Sequence, residues 1–333
     1  MPNVQEKAGK KSAPKPKIQE AGTNSNPPVE VDESPPTPSR TSIFCARPLD
    51  PDFVSLIDQL ENLVGIPIWL LVQSRLIHPR DATQFDSLGH GLVQSFRQVK
   101  TEIPQNKVAL LIDSPGGDAK AAYKLAMMLK RRCGQFIAIV PRYAKSAATL
   151  FCLGAEKILM SHDAELGPLD VQVIEPDREE RVSALDEVQS LDRLSVFAQE
   201  TVDRQMQLLT NRSGMKIRTL LPDVHSFVSA LVRPLFEKID IVHYTQMSRL
   251  LKVAEEYAIR LLSPNHHVLS DDPNSIARRL VHGYPEHEFF IDAAEAKSIG
   301  LNVEVPEREL VSVMSQLVPH LEDTALIGRV EKL

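Results

Sequence analysis

Three short apolar runs, spaced by amphipathic or small-residue stretches, constrain the fold of this chain more than any other feature. Val108–Asp113, Phe136–Val140 and Lys157–Met160 carry apolar side chains at nearly every position rather than at alternate ones. A strand of that kind is buried on both faces, as in parallel sheets covered by helices. Between the first two runs, Asp118–Cys133 places Ala122, Leu125, Ala126 and Leu129 on one helical face. Between the second and third, Ser146–Leu153 reads as a helix of small residues. The order strand–helix–strand–helix–strand predicts an α/β fold with a mostly parallel sheet covered on both sides.

Further elements extend this unit. Asp50–Leu63 has helical spacing in Phe53, Leu56, Ile57, Leu60 and Leu63, with Asp50-Pro51 as its N-terminal cap. Ile66–Val72 reads as a buried strand and Leu88–Lys100 as a helix. From about Val182 the pattern becomes helical for nearly eight turns, through Leu185, Val188, Leu191, Leu194, Ala198, Val202 and Leu209. Leu220–Phe236 and Met247–Leu262 follow as helices. Glu288–Ile291 and Leu301–Val305 read as short strands around a helix over Asp292–Ile299, ended by Gly300. Residues 1–45 hold eight of the 24 prolines and few large apolar side chains, so they read as a disordered Pro-rich tail. The expected bounds are a folded domain over 46–320 and a C-terminal tail over 321–333.

Composition excludes several classes. A net charge of −6 and a pI near 6.0 offer no basic surface for nucleic acid. The apolar stretch Leu63–Ile77 is too short for a membrane span and is interrupted by Pro67, Gln73, Ser74 and Arg75. The N-terminus lacks the apolar core of a signal peptide. Cys45, Cys133 and Cys152 have neither disulfide-framework nor metal-ligand spacing. A soluble cytoplasmic protein without cofactor, metal or stable membrane insertion is expected.

Two loops carry chemistry. Asp113-Ser114-Pro115-Gly116-Gly117 follows directly after a strand. Gly116 and Gly117 let backbone approach a substrate closely, and their N–H groups can hold an oxyanion. Asp118 would cap the next helix. An ordinary Pro-Gly turn is the competing reading, and the phosphate-loop pattern is absent. Ala144-Lys145-Ser146-Ala147-Ala148-Thr149 puts a serine at a helix N-terminus, where N–H groups and the dipole favour developing negative charge. A helix cap is the alternative there. Adjacent parallel strands bring both loops to one sheet edge, which turns two weak signals into a candidate acyl-transfer site. The serine needs a base, and His162, His225, His243, His282, His287 or a desolvated lysine are open to that role.

At these motifs the chain resembles the ClpP/crotonase superfamily, and within it the serine dehydrogenase proteinase family, relatives of signal peptide peptidase A. Ser114-Pro115-Gly116-Gly117 resembles the family's oxyanion turn, and Ala144–Leu150 its nucleophile segment. Leu166-Gly167-Pro168-Leu169-Asp170-Val171-Gln172 resembles its L-G-P-x-D-P-Q turn. His282-Gly283-Tyr284-Pro285 and Glu295–Leu301 resemble its closing motifs. The resemblance spans about residues 50–305 and departs where Ala147-Ala148 replaces a Gly-Gly pair and Val171 a proline. It implies a spiral of ββα units with added long helices, and peptide-bond hydrolysis through an acyl-enzyme on Ser146. Gly116, Gly117 and Ala147 would then form the oxyanion and substrate-binding backbone. No lysine lies between Lys157 and Lys216, where a Ser-Lys design would place one, so the resemblance selects His282 as base with Asp170 orienting it. It also implies a peptide or protein substrate and a homo-oligomer. A non-catalytic scaffold of the same fold, or a crotonase-like acyl-CoA enzyme, are the alternatives.

Overall fold

A computed structural model describes residues 42–45, 49–73, 87–100, 103–175, 180–263, 272–322 and 324–330. The proposed tail over residues 1–45 falls outside these except for its last four residues. The ordered elements, in chain order, are β1 (Ser42–Cys45), α1 (Pro51–Val64), β2 (Ile68–Val72), α2 (His90–Val99), β3 (Val108–Asp113) and α3 (Ala119–Cys133). There follow β4 (Phe136–Val140), β5 (Tyr143–Ala144), α4 (Ala147–Cys152), β6 (Lys157–Met160), β7 (Glu165–Leu166), β8 (Gln172–Glu175) and β9 (Glu180–Ser183). The chain continues through α5 (Ala184–Ser213), α6 (Ile217–Phe236), α7 (Ile241–Leu262), α8 (Pro273–His282) and α9 (Ala293–Ser298). It closes with β10 (Val303–Glu304), α10 (Arg308–Glu322) and β11 (Leu326–Gly328).

The main sheet runs β1-β11-β2-β3-β4-β6-β10. Its β2, β3, β4, β6 and β10 are parallel, whereas β11 pairs antiparallel with β2 and with β1. The fold is therefore α/β with a mostly parallel sheet, as the apolar runs require. Successive side chains of one strand feed opposite cores. Trp69 and Leu71, Leu110 and Ile112, and Phe136 and Ala138 pack into the larger core with α2, α3, α4, α7 and α8. Leu70 and Val72, Ala109 and Leu111, and Ile139 face the second core, closed by Phe53, Ile57 and Leu60 of α1 and Met314 and Leu317 of α10. Burying each such large side chain contributes about 1.5–3 kcal/mol.

The parallel strands advance in one direction along the sheet, and α2, α3 and α4 all pack into the larger core. The site edge is thus the carboxyl ends of neighbouring strands without a reversal of winding. Beyond that edge lies a second row of short pairings: Leu88 with Gly117, Ser114 with Ala144, β5 with β7, and Leu166 with Ile291.

The domain bounds differ from 46–320 at both ends. Leu321 is fully buried in the second core, and β11 is inserted between β1 and β2. Leu326 and Ile327 serve opposite cores, so β11 is part of the sheet. Glu288–Ile291 forms only a bridge at Ile291 instead of a strand. The long helices appear as expected, with Met206 of α5 packed on Leu220, Val224, Val228 and Val232 of α6.

Candidate active site

Ser146 sits between β5 and α4 with φ 50° and ψ −117°, the one non-glycine positive φ among the described residues. Such a conformation costs about 1–3 kcal/mol and persists only where the surroundings enforce it. Here they do. Lys145 N–H donates to Ser114 O (3.0 Å), and Ala148 N–H donates back to Lys145 O (2.8 Å). Thr149 Oγ1 donates to Ala144 O (2.6 Å) and accepts from Gly167 N–H (3.0 Å). The sharp strand-to-helix turn leaves the Ser146 hydroxyl without a capping hydrogen bond to α4. Because α4 has only six residues, what it offers is the N–H of Ala147 at its start rather than a helix dipole.

The Pro-Gly-Gly turn meets this elbow directly. A Cβ on Gly116 would lie 2.6 Å from Lys145 O and 3.1 Å from both Ala147 N and Ser146 Cβ. Gly116 and Gly117 adopt φ 100° and 143°, which side chains disfavour. The two glycines divide their roles. Gly116 N–H donates to Ser114 Oγ (3.1 Å), and Ser114 in turn bonds Gln73, so this N–H is already engaged. No hydrogen bond within the described residues occupies the N–H of Gly117 or Ala147. Gly116 thus acts through its missing side chain, and Gly117 and Ala147 carry the free donors.

Two ion pairs fix the loops. Asp113, at the end of β3, receives Arg142 Nε (3.1 Å) and Nη2 (2.6 Å). Burial raises the Asp113 carboxyl above its ordinary range, and Arg142 opposes that rise. Lys145 is buried, with Nζ 2.9 Å from Glu165 Oε2 and 3.5 Å from the carbonyls of Glu288 and Phe289. This lysine ties the elbow to the segment after α8.

The L-G-P turn closes over the same peptide. A Cβ on Gly167 would lie 2.8 Å from Lys145 Cδ and 3.2 Å from Ser146 N. Asp170, three residues on, is 3% exposed, and its Oδ1 accepts from Leu185 N–H (3.3 Å). Its Oδ2 faces Nδ1 of His287 at 3.8 Å. His282 goes elsewhere: its side chain is 41% exposed, with Nε2 3.9 Å from Glu255 of α7. No bond or ion pair among the described residues joins His282 to Asp170. Tyr284 of the same motif is structural. Its hydroxyl donates to Glu295 (3.0 Å), its ring tilts on Phe289, and burial followed by Glu295 pushes its pKa up to about 12. The described residues contain no cluster of three or more metal-ligating side chains and no helix long and apolar enough to cross a membrane.

Residues 89–195 match the family model described as ClpP-like SDH-type serine proteinase, which bears out the resemblance drawn from the motifs. Two uncharacterized proteins of Methanocaldococcus jannaschii are similar in sequence. One is 26% identical over 66% of this chain and 62% of its own length, the other 30% identical over 36% and 37%. The chain thus spans less than two thirds of either relative. Among solved structures, ClpP1 from Listeria monocytogenes covers 76% of this chain and 99% of its own, at 12% identity and a TM-score of 0.31. The 1510-N membrane-bound stomatin-specific protease covers 51% and 80%, at 16% identity and a TM-score of 0.27. At family level the match is to serine proteinases.

Proposed function

We propose that this chain is a serine endopeptidase acting on peptide or protein substrates, with Ser146 as nucleophile and the N–H groups of Gly117 and Ala147 as the oxyanion hole. The observation that carries the reading is the strained Ser146 elbow, packed against a glycine turn with free donors on both sides. Ser146 Oγ attacks the scissile carbonyl carbon and the carbonyl electrons move onto oxygen, facing the two N–H groups. Collapse expels the amine and leaves an ester on Ser146, which water then hydrolyses. One such donor is worth about 2.7–4 kcal/mol of transition-state stabilisation. No group in this scheme calls for a metal or cofactor.

A fluorophosphonate probe tests it. The wild type should be labelled and Ser146→Ala should not, with hydrolysis of a peptide library following the same pattern. A folded wild type that resists the probe would leave the non-catalytic scaffold as the better reading. Self-association belongs to the same proposal. Ile217, Leu221, Phe227, Leu231 and Leu235 of α6 are exposed, an apolar surface that a second copy could cover, and native mass spectrometry reads the stoichiometry. The free buried thiols Cys133 and Cys152 suit a reducing compartment such as the cytoplasm.

A further inference from the structure

We infer that His287, oriented by Asp170, is the base that activates Ser146; this rests on the peptidase reading above. Two observations point to the pair independently of any motif. His287 Nδ1 is buried without a hydrogen-bond partner and lies 3.8 Å from Asp170 Oδ2. Both residues line a cavity of about 280 Å³ together with Gln172, Ser183, Asp186 and Glu288. A buried, unpaired ring nitrogen is costly, and its position beside a carboxylate whose other oxygen is already engaged suits a ligand-free dyad. Catalytic hydrogen bonds are often long before substrate binds.

Both halves of the pair are strapped to the nucleophile. The segment carrying His287 is held by Lys145 through the carbonyls of Glu288 and Phe289. It is held again by the reciprocal bonds of Leu166 and Ile291, 2.9 and 3.2 Å. The segment carrying Asp170 packs on the elbow at Gly167, where an added Cβ would lie 3.2 Å from Ser146 N, and Asp170 follows three residues on, at most roughly 11 Å along the chain. In the reaction, His287 Nε2 takes the Ser146 hydroxyl proton as Oγ attacks, while Nδ1–H points at Asp170. The imidazolium then gives that proton to the departing amine. In the second half, the ring takes a proton from water and returns it to Ser146 Oγ. Asp170, Asp186, Glu286 and Glu288 line the cavity with the ring, and Lys145, whose Nζ reaches the Glu288 carbonyl, is paired with Glu165.

The test is the pH profile of fluorophosphonate labelling. In the wild type, the rate should rise through one ionisation. His287→Gln should lower it roughly 10²–10⁴-fold and remove that inflection, and imidazole should partly restore labelling of His287→Ala. A His287→Gln protein labelled at the wild-type rate with the wild-type inflection overturns the assignment, as does loss of labelling in His282→Ala alone. A folded wild type that is never labelled brings down the peptidase reading and the base with it. The pairing has its own readout in Asp170→Asn, which should slow labelling of the folded protein while His287 is still present, and should add little to the loss already caused by His287→Gln. A wild-type labelling rate in Asp170→Asn refutes the pair even where His287 proves to be the base.

Discussion

Gly116→Ala isolates what the glycine turn contributes. At φ 100° a side chain costs about 1–3 kcal/mol in backbone strain. The new methyl would also stand 2.6 Å from Lys145 O and 3.1 Å from Ser146 Cβ, where carbon contacts settle at about 3.5–4.0 Å. Relief requires the Lys145–Ser146 peptide to retreat by roughly 0.5–1 Å, an overpacking term of about 1–3 kcal/mol. The expected loss of stability is therefore about 2–6 kcal/mol, read from urea unfolding with the single, buried Trp69 as reporter. A nucleophile displaced by about 1 Å loses on the order of 10²-fold in rate, read as fluorophosphonate labelling of the folded fraction. Gly65→Ala is the control. Its φ is 74° and nothing lies within 4 Å of the added Cβ, so it should cost only about 1–2 kcal/mol and label normally. If Gly116→Ala is no less stable than Gly65→Ala and labels at the wild-type rate, the close approach is not what positions Ser146.

Other elements around the site yield further expectations. Thr149→Val strands the buried Gly167 N–H and Ala144 carbonyl and should cost about 1–3 kcal/mol in urea unfolding; a neutral result would mean that water replaces the hydroxyl. Arg142→Met leaves Asp113 buried without its partner, and its penalty should be about 3–5 kcal/mol at neutral pH. Burial already holds the Asp113 carboxyl above its ordinary 3.8, and without Arg142 it rises further. The stability lost to this raised carboxyl sets in as pH climbs above 3.8, so the Arg142→Met penalty should shrink toward pH 4; a pH-independent penalty would refute it. Burial pushes the Cys133 thiol up to about 11 and raises Cys152 as well. Neither should react with iodoacetamide at pH 8 until the protein unfolds, as peptide mapping would read.

The central sheet was legible because its strands are apolar on both faces and short. Val108–Asp113, Phe136–Val140 and Lys157–Met160 keep their expected bounds, and Asp50 and Asp118 mark helix starts by their own chemistry. What escaped was built by partners distant in sequence. The strand Leu326–Gly328 has three residues, too few for any periodicity, and is a strand only because β1 and β2 flank it. The pair β5–β7 is likewise two residues on each side, created by the loops that cross the sheet edge.

The same division runs through the site. Ser146, Gly116 and Gly117 could be read locally, since a strained elbow and positive φ leave a mark on residue choice. Gly116 was still read as a donor, because the sequence does not reveal that Ser114 Oγ takes its N–H. The proposed base, His287, has no local mark. His282 attracted attention through its motif, yet helical phase argues against it. In α8 the buried positions are Ile276, Ala277, Leu280 and Val281, with Tyr284 continuing that face. His282 stands a further 100° round from Val281, toward solvent and Glu255. His287 lies beyond the helix end, where no periodicity applies. It reaches Asp170 because Tyr284 is anchored on Glu295 and Ile291 is bridged to Leu166. Those two anchors lie on either side of His287, so loosening either should move its ring away from Asp170 while leaving the Ser146 elbow intact.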